Sequence, residues 1–138
     1  MNIETSCGFI AFTKIDEVNY YLLIKAHNGD IGFPKGHMEL GESEIKTALR
    51  ETKEETGIDV RAIGGFRKQI EYPLKKKNAT KRVIYFLGQC VSNDLNRQIS
   101  EIAEVFYASY SDALKLITFR ETKELLIDAE NFLNTRKL

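Results

Sequence analysis

The chain has 138 residues, 43% hydrophobic and 29% charged, a composition that suits one domain around one core and excludes a disordered or repetitive polymer. Twenty basic and twenty acidic side chains cancel to a formal net charge of zero. Wholesale electrostatic binding to nucleic acid or membrane is therefore not implied, and any charge-driven function must come from local segregation of charge.

The opening MNIETSCGFIAF has neither a basic start nor a long apolar stretch, and no apolar run approaches the ~20 residues that cross a bilayer. The expectation is a cytoplasmic protein with no membrane partner. Cys7 and Cys90 stand in separate apolar runs without metal-like or redox-like spacing and read as two buried thiols. Cys7 to Phe12 and Tyr20 to Ala26 are predicted strands, separated by the polar stretch Lys14 to Asn19. His27 to Gly36, rich in glycine and holding Pro34, is a predicted loop. Ser43 to Thr56 switches to helical spacing, with Ser43 as N-cap and Gly57 as stop. Val60 to Ile63, Phe66 to Tyr72 and Arg82 to Val91 follow as strands, the last two joined by the lysine-rich PLKKKNATK. Glu104 to Ala108 is a further strand. Ser111 to Ile117 and Thr122 to Asn134 are helices, the second with Leu125, Leu126, Ala129, Phe132 and Leu133 on one side. Strands on both sides of a central helix, with helices at the end, indicate an α/β or α+β layered fold. No repeat or linker divides the chain, so residues 1–138 read as a single domain, with no room for a DNA-binding module.

The central helix carries the sharpest signal. On a helical wheel centred on the apolar stripe at Ile45, Glu51, Glu54 and Glu55 gather on one flank. Lys46, Arg50 and Lys53 gather on the other, so acids and bases are separated rather than mixed. Like charges at this spacing repel by a few tenths of a kcal/mol per pair, and a hard divalent cation would turn that repulsion into a ligand set. Spacing alone leaves two readings, a solvated acidic face and a Mg²⁺ or Mn²⁺ site. The preceding Phe33-Pro34-Lys35-Gly36-His37 adds a rigid proline, a glycine able to bring a backbone carbonyl close to a metal, and a lysine able to meet a phosphate.

Gly36, then Glu42 after five residues, then Arg50-Glu51-Thr52-Lys53-Glu54-Glu55-Thr56-Gly57-Ile58 after seven more, resembles the complete box of the Nudix hydrolases. Its soft position is Thr52, where an aliphatic residue is usual. The resemblance implies the Nudix fold, a mixed sheet between helices, and Mg²⁺- or Mn²⁺-dependent hydrolysis of a nucleoside diphosphate linked to another moiety. It implies that Glu51, Glu54 and Glu55 ligate cations, that Gly36 offers its carbonyl, and that Arg50 and Glu42 support and orient them, with Glu42 also able to join the metal shell. Gly57 closes the helix. Glu51 and Glu101 are the two candidates for the general base, and Glu101 also joins the candidate metal shell.

Beyond the box, Leu22-Leu23, Pro34-Lys35-Gly36-His37, Gly41-Glu42, Lys81 before Val83-Ile84-Tyr85, and Glu101 ahead of Asp112-Ala113 resemble the asymmetrical diadenosine tetraphosphate hydrolases. That resemblance implies cleavage to ATP and AMP, an adenine between Tyr72 and Phe119, and a polyphosphate held by Lys35 and Lys81, with Lys75-Lys76-Lys77 and Arg82 enriching the same loop. Core packing is the competing reading for Phe119, and a solubilising hairpin the competing reading for the lysines. The chain departs from that subfamily in having no tryptophan, with Asp30-Ile31-Gly32-Phe33 before the Pro-Lys-Gly-His stretch. The subfamily's phosphate-contacting histidine is then missing or moved to His27 or His37. Rival readings are pyrophosphate release from a nucleoside triphosphate or from a 5′-triphosphorylated RNA end, cleavage of inositol pyrophosphates, and a non-catalytic nucleotide sensor.

Overall fold

A computed structural model describes residues 2–96, 98 and 101–136. The elements run β1 (Asn2–Ile15), β2 (Val18–Ala26), β3 (Ile31–Gly32), β4 (Lys35–His37), α1 (Glu44–Thr56), β5 (Val60–Leu74), β6 (Ala79–Cys90), β7 (Ile102–Ser109), α2 (Tyr110–Leu116) and α3 (Arg120–Thr135). The sheet is mixed, ordered β3-β2-β1-β6-β5, with β4 also on β1 and β7 also on β2.

Side chains of β1 alternate between two cores, as a period of two requires. Ile10 and Phe12 join Tyr21, Leu23, Val83, Tyr85 and Leu87 beneath Leu125, Leu126 and Ala129 of α3. Cys7, Phe9 and Ala11 join Leu22 and Ile84 beneath Ala48 of α1 and Ile58. Helices thus cover both faces of the sheet, and strands buried on both sides read as continuous apolar runs.

The strands are longer than the sequence suggests. Parallel pairing with β6, from Asn2 opposite Ala79 to Phe12 opposite Gln89, extends β1 back through polar residues. The β1–β2 turn is only Asp16-Glu17, both at positive φ, so the polar stretch is mostly strand. Val60–Leu74 is one strand whose register shifts between Ile63 and Arg67, where Gly65 takes φ +95°. That bulge turns Phe66 inward to meet Phe132 edge-on at 5.5 Å. The predicted loop 27–36 contains β3 and the start of β4.

One edge of β1 is shared. Its Ser6–Gly8 segment pairs with β4, whereas its Phe12–Ile15 segment pairs with β2. The sheet therefore splits between β4 and the far end of β2, and the split opens a cleft.

The α1 stripe also differs from the expectation. The buried side chains are Thr47, Ala48, Thr52, Glu55 and Thr56, so the face against the sheet is rotated toward the acidic flank, while Leu49 is exposed. Small residues let the helix sit close to β1 and β4 and carry the glutamates inward. Ser43 accepts a hydrogen bond from the Lys46 N–H, and Gly57 in the left-handed region donates to the Lys53 carbonyl. Thr52 is fully buried, and its hydroxyl has no hydrogen-bond partner among the described residues. Thr52→Val keeps the shape and removes that unmet group, so it is expected to stabilise the protein by about 1 kcal/mol. Thermal unfolding of the two proteins checks this.

Candidate active site

Glu51, Glu54, Glu55 and Glu101 all line one cavity of about 380 Å³, with Gly36, Lys35, His37, Ser6, Lys81 and Gln98 on the remaining walls. Glu55 is 5% exposed, and its Oε1 accepts the Lys35 N–H at 3.0 Å. Burial, against that bond and aided by Glu51 and Glu101, pushes its carboxyl up to about 8. Burial also raises the Glu51 carboxyl, with Arg50 opposing and Glu54 adding to the rise.

Gly36 lies against the Glu51 carboxylate. A Cβ built there would stand 2.0 Å from Glu51 Cδ. Because the obstacle is the end of a flexible side chain, Gly36→Ala is expected to fold with little change in melting temperature. It should displace the Glu51 carboxylate and lower kcat by at least about tenfold, a loss of roughly 1.4 kcal/mol. Steady-state kinetics beside thermal unfolding separates the two effects.

Arg50 does not stay on the far flank. Only a narrow arc of the helix separates it from Glu54, and its long side chain crosses that gap. Nε and Nη2 form a two-pronged contact with Glu42 at 2.7 and 2.9 Å, while Nη1 bridges Glu51 at 3.0 Å and Glu54 at 2.8 Å. Nη2 also donates to the His37 carbonyl at 2.9 Å. Hydrogen bonds from Arg50, then from the Glu39 N–H, hold the Glu42 carboxyl down at about 2. Glu42 also accepts from Thr47 Oγ1 at 2.8 Å, which ties the loop to the helix.

Among the described residues no three acidic, histidine or cysteine side chains converge on one point, since Arg50 holds Glu51 and Glu54. The donor set nevertheless fits a hard divalent cation. It is all oxygen, it includes buried carboxyls that disfavour their own ionisation, and a glycine leaves room beside them.

The same cavity also has a basic lining. Lys81 is 7% exposed, and its Nζ lies 2.6 Å from Ser6 Oγ and 3.4 Å from His37 Nδ1. His37 lines this cavity, and His27 does not. Lys75–Lys77 form a 3₁₀ turn, and Lys77 pairs with Glu4 at 3.5 Å. Arg82 is instead engaged by Glu71 at 2.8 Å.

A second cavity of about 540 Å³ shares Ile24, Ala26, Phe33 and Lys35 with the first, so the two adjoin. Phe33 and Tyr85 meet edge-on there at 5.8 Å. Tyr72, 43% exposed, enters from β5 at one end of the sheet order. Phe119, 54% exposed, enters from the N-terminus of α3, so core packing is not its role. The residue before it is fastened to β3 at the other end of the sheet order, with the Ile31 N–H donating to Thr118 Oγ1 at 2.7 Å and the Thr118 N–H donating to the Ile31 carbonyl at 3.0 Å.

The NUDIX domain family matches residues 8–129. The chain belongs to the Nudix hydrolase family. Among curated Nudix relatives, the asymmetrical bis(5′-nucleosyl)-tetraphosphatase of Sus scrofa is 36% identical over 140 residues, covering 93% of this chain and 94% of that protein. Its counterpart in Rattus norvegicus is 34% identical over the same coverage. The crystal structure of a C. elegans Ap4A hydrolase binary complex superposes with a TM-score of 0.86 at 26% identity, covering 96% of this chain and 98% of that one. The Nudix sheet and its flanking helices are thus those expected. Ser6 and Gln98, which also line the Nudix cavity, carry no sequence signal. Ser6 reaches Lys81 only because β1 and β6 pair in parallel across 75 positions.

Proposed function

We propose that this Nudix hydrolase cleaves a dinucleoside tetraphosphate asymmetrically, with diadenosine tetraphosphate and water giving ATP and AMP. One observation carries the reading. An aromatic-lined cavity adjoins, with Phe33 and Lys35 in common, a cavity lined both by carboxylates and by a buried lysine. A base, a phosphate chain and a hydrolytic centre need that order of environments along one groove. The 36% identity to a tetraphosphatase over most of both chains supports it.

In this reading Tyr72 and Phe119 stack on one base, and Lys35 and Lys81 meet the phosphate oxygens. Glu51, Glu54 and Glu55, with Glu101 and the Gly36 carbonyl, would hold Mg²⁺ or Mn²⁺. Such cations, when bound, neutralise phosphate oxygens and make a water more acidic. The water oxygen attacks phosphorus, its proton passes to Glu51 or Glu101, and the bridging P–O bond breaks. Arg50 and Glu42 keep the carboxylates oriented, and Gly57 ends the helix that bears them. Among the described residues no helix is long and apolar enough to cross a membrane. Two unpaired cysteines, Cys7 buried and Cys90 half-buried, suit a reducing cytoplasm.

The test is a ranking of kcat/KM with Mg²⁺ over diadenosine tetraphosphate, nucleoside triphosphates and a 5′-triphosphorylated RNA. The dinucleotide should rank first. A triphosphate or the RNA ranking above it would overturn the assignment.

A further inference from the structure

Lys81 is buried, and the nearest carboxylate of its own sheet register, Glu4, is paired with Lys77 instead. Among the described residues the Lys81 ammonium forms no ion pair; its contacts are Ser6 Oγ at 2.6 Å and His37 Nδ1 at 3.4 Å. A buried cation without a counter-charge costs several kcal/mol, and a fold keeps one where an anion is to be bound. An ammonium has three N–H donors and no acceptor. Ser6 takes one and His37 stands near a second, which leaves a third for the cavity that Lys81 lines.

Ser6 is itself 1% exposed and lines the same cavity. Its oxygen accepts from Lys81, so its own hydroxyl proton remains to be donated, and it has no acceptor among the described residues. We propose that Ser6 is a phosphate-positioning residue: its oxygen fixes the Lys81 ammonium, and its O–H, beside the free Lys81 N–H, donates to the same phosphate group of the substrate. The pair then acts as one two-donor clasp in the cavity that the carboxylates also line. This rests on the cleft being a polyphosphate site and adds a residue that no motif assigns.

Ser6→Ala and Ser6→Thr test it, with diadenosine tetraphosphate as substrate and inorganic tripolyphosphate as a base-free competitive inhibitor. Ser6→Ala should raise both KM and the tripolyphosphate Ki by about tenfold, as loss of charge-assisted hydrogen bonding predicts, with kcat changed little by comparison. Ser6→Thr, which keeps the hydroxyl, should restore most of both. In a Lys81→Met background Ser6→Ala should add little, because the clasp is already broken. Unchanged KM and Ki in Ser6→Ala would overturn the inference, as would a loss confined to kcat and melting temperature. A wild-type enzyme that cleaves another phosphoanhydride but is inhibited by tripolyphosphate would fail the dinucleotide reading alone, and the Ki comparison would still decide Ser6. No inhibition of wild type by tripolyphosphate overturns the clasp, while the dinucleotide reading is decided by the substrate ranking.

Discussion

Glu55→Gln is expected to lower kcat by about 10³-fold, the scale of several kcal/mol of transition-state charge stabilisation, while making the cation-free protein more stable at neutral and alkaline pH. The two effects have one origin. Burial lifts the Glu55 carboxyl from an ordinary 4.5 to about 8 in the folded state. A folded-state pKa above the unfolded one means that the stability tied to this group is complete below the ordinary value. It is lost progressively as pH rises to about 8, amounting to about 3 kcal/mol at pH 7. Glutamine keeps an oxygen for the Lys35 N–H and carries no charge to desolvate, so the variant's melting temperature should stay flat across that window where wild type declines. Mn²⁺ should raise the melting temperature of wild type and leave the variant nearly unmoved. A variant less stable than wild type at both ends of the window would contradict the account of Glu55 as a destabilising ligand kept for chemistry.

Tyr72→Ala and Phe119→Ala form the second large prediction. Each should raise KM for a dinucleotide by about 5- to 150-fold, the ~1–3 kcal/mol of one base–aromatic face, with a smaller effect on kcat. Both side chains are substantially exposed at the cavity mouth, so neither truncation opens a hole in the core. Inhibition by tripolyphosphate, which has no base, should be unaffected. Equal losses for the base-free inhibitor would mean that the aromatics shape the cleft rather than stack. No loss for either variant would favour a substrate without a base, such as an inositol pyrophosphate.

Much of the site was legible because it is local. Glu51, Glu54 and Glu55 lie within five positions of one helix, and the Ser43 and Gly57 caps bracket it by chemistry that a few residues determine. The helix wheel, however, placed Arg50 with the lysines, because a wheel carries no side-chain length. The inward turn of the acidic flank was also hidden, since it follows from Ala48 and the threonines letting α1 approach the sheet closely. Val60–Leu74 read as two strands because a Gly64-Gly65 bulge interrupts the alternation that marks a strand. Arg82 read as part of a phosphate-facing loop, but strand alternation sends it to Glu71 and Lys81 to the cavity. Phe119 was ambiguous because an aromatic before a helix suits a core or a mouth equally, and the Thr118–Ile31 bonds that decide it join segments far apart in the chain. Ser6 was invisible for the same reason.

The measurement that bears most directly on the central claim is product analysis by anion exchange. Purified protein is incubated with diadenosine tetraphosphate and Mg²⁺ beside a panel of nucleoside triphosphates. Equimolar ATP and AMP, formed faster than any triphosphate is cleaved, is the predicted result. Two molecules of ADP, or an intact dinucleotide alongside pyrophosphate released from a triphosphate, would contradict it.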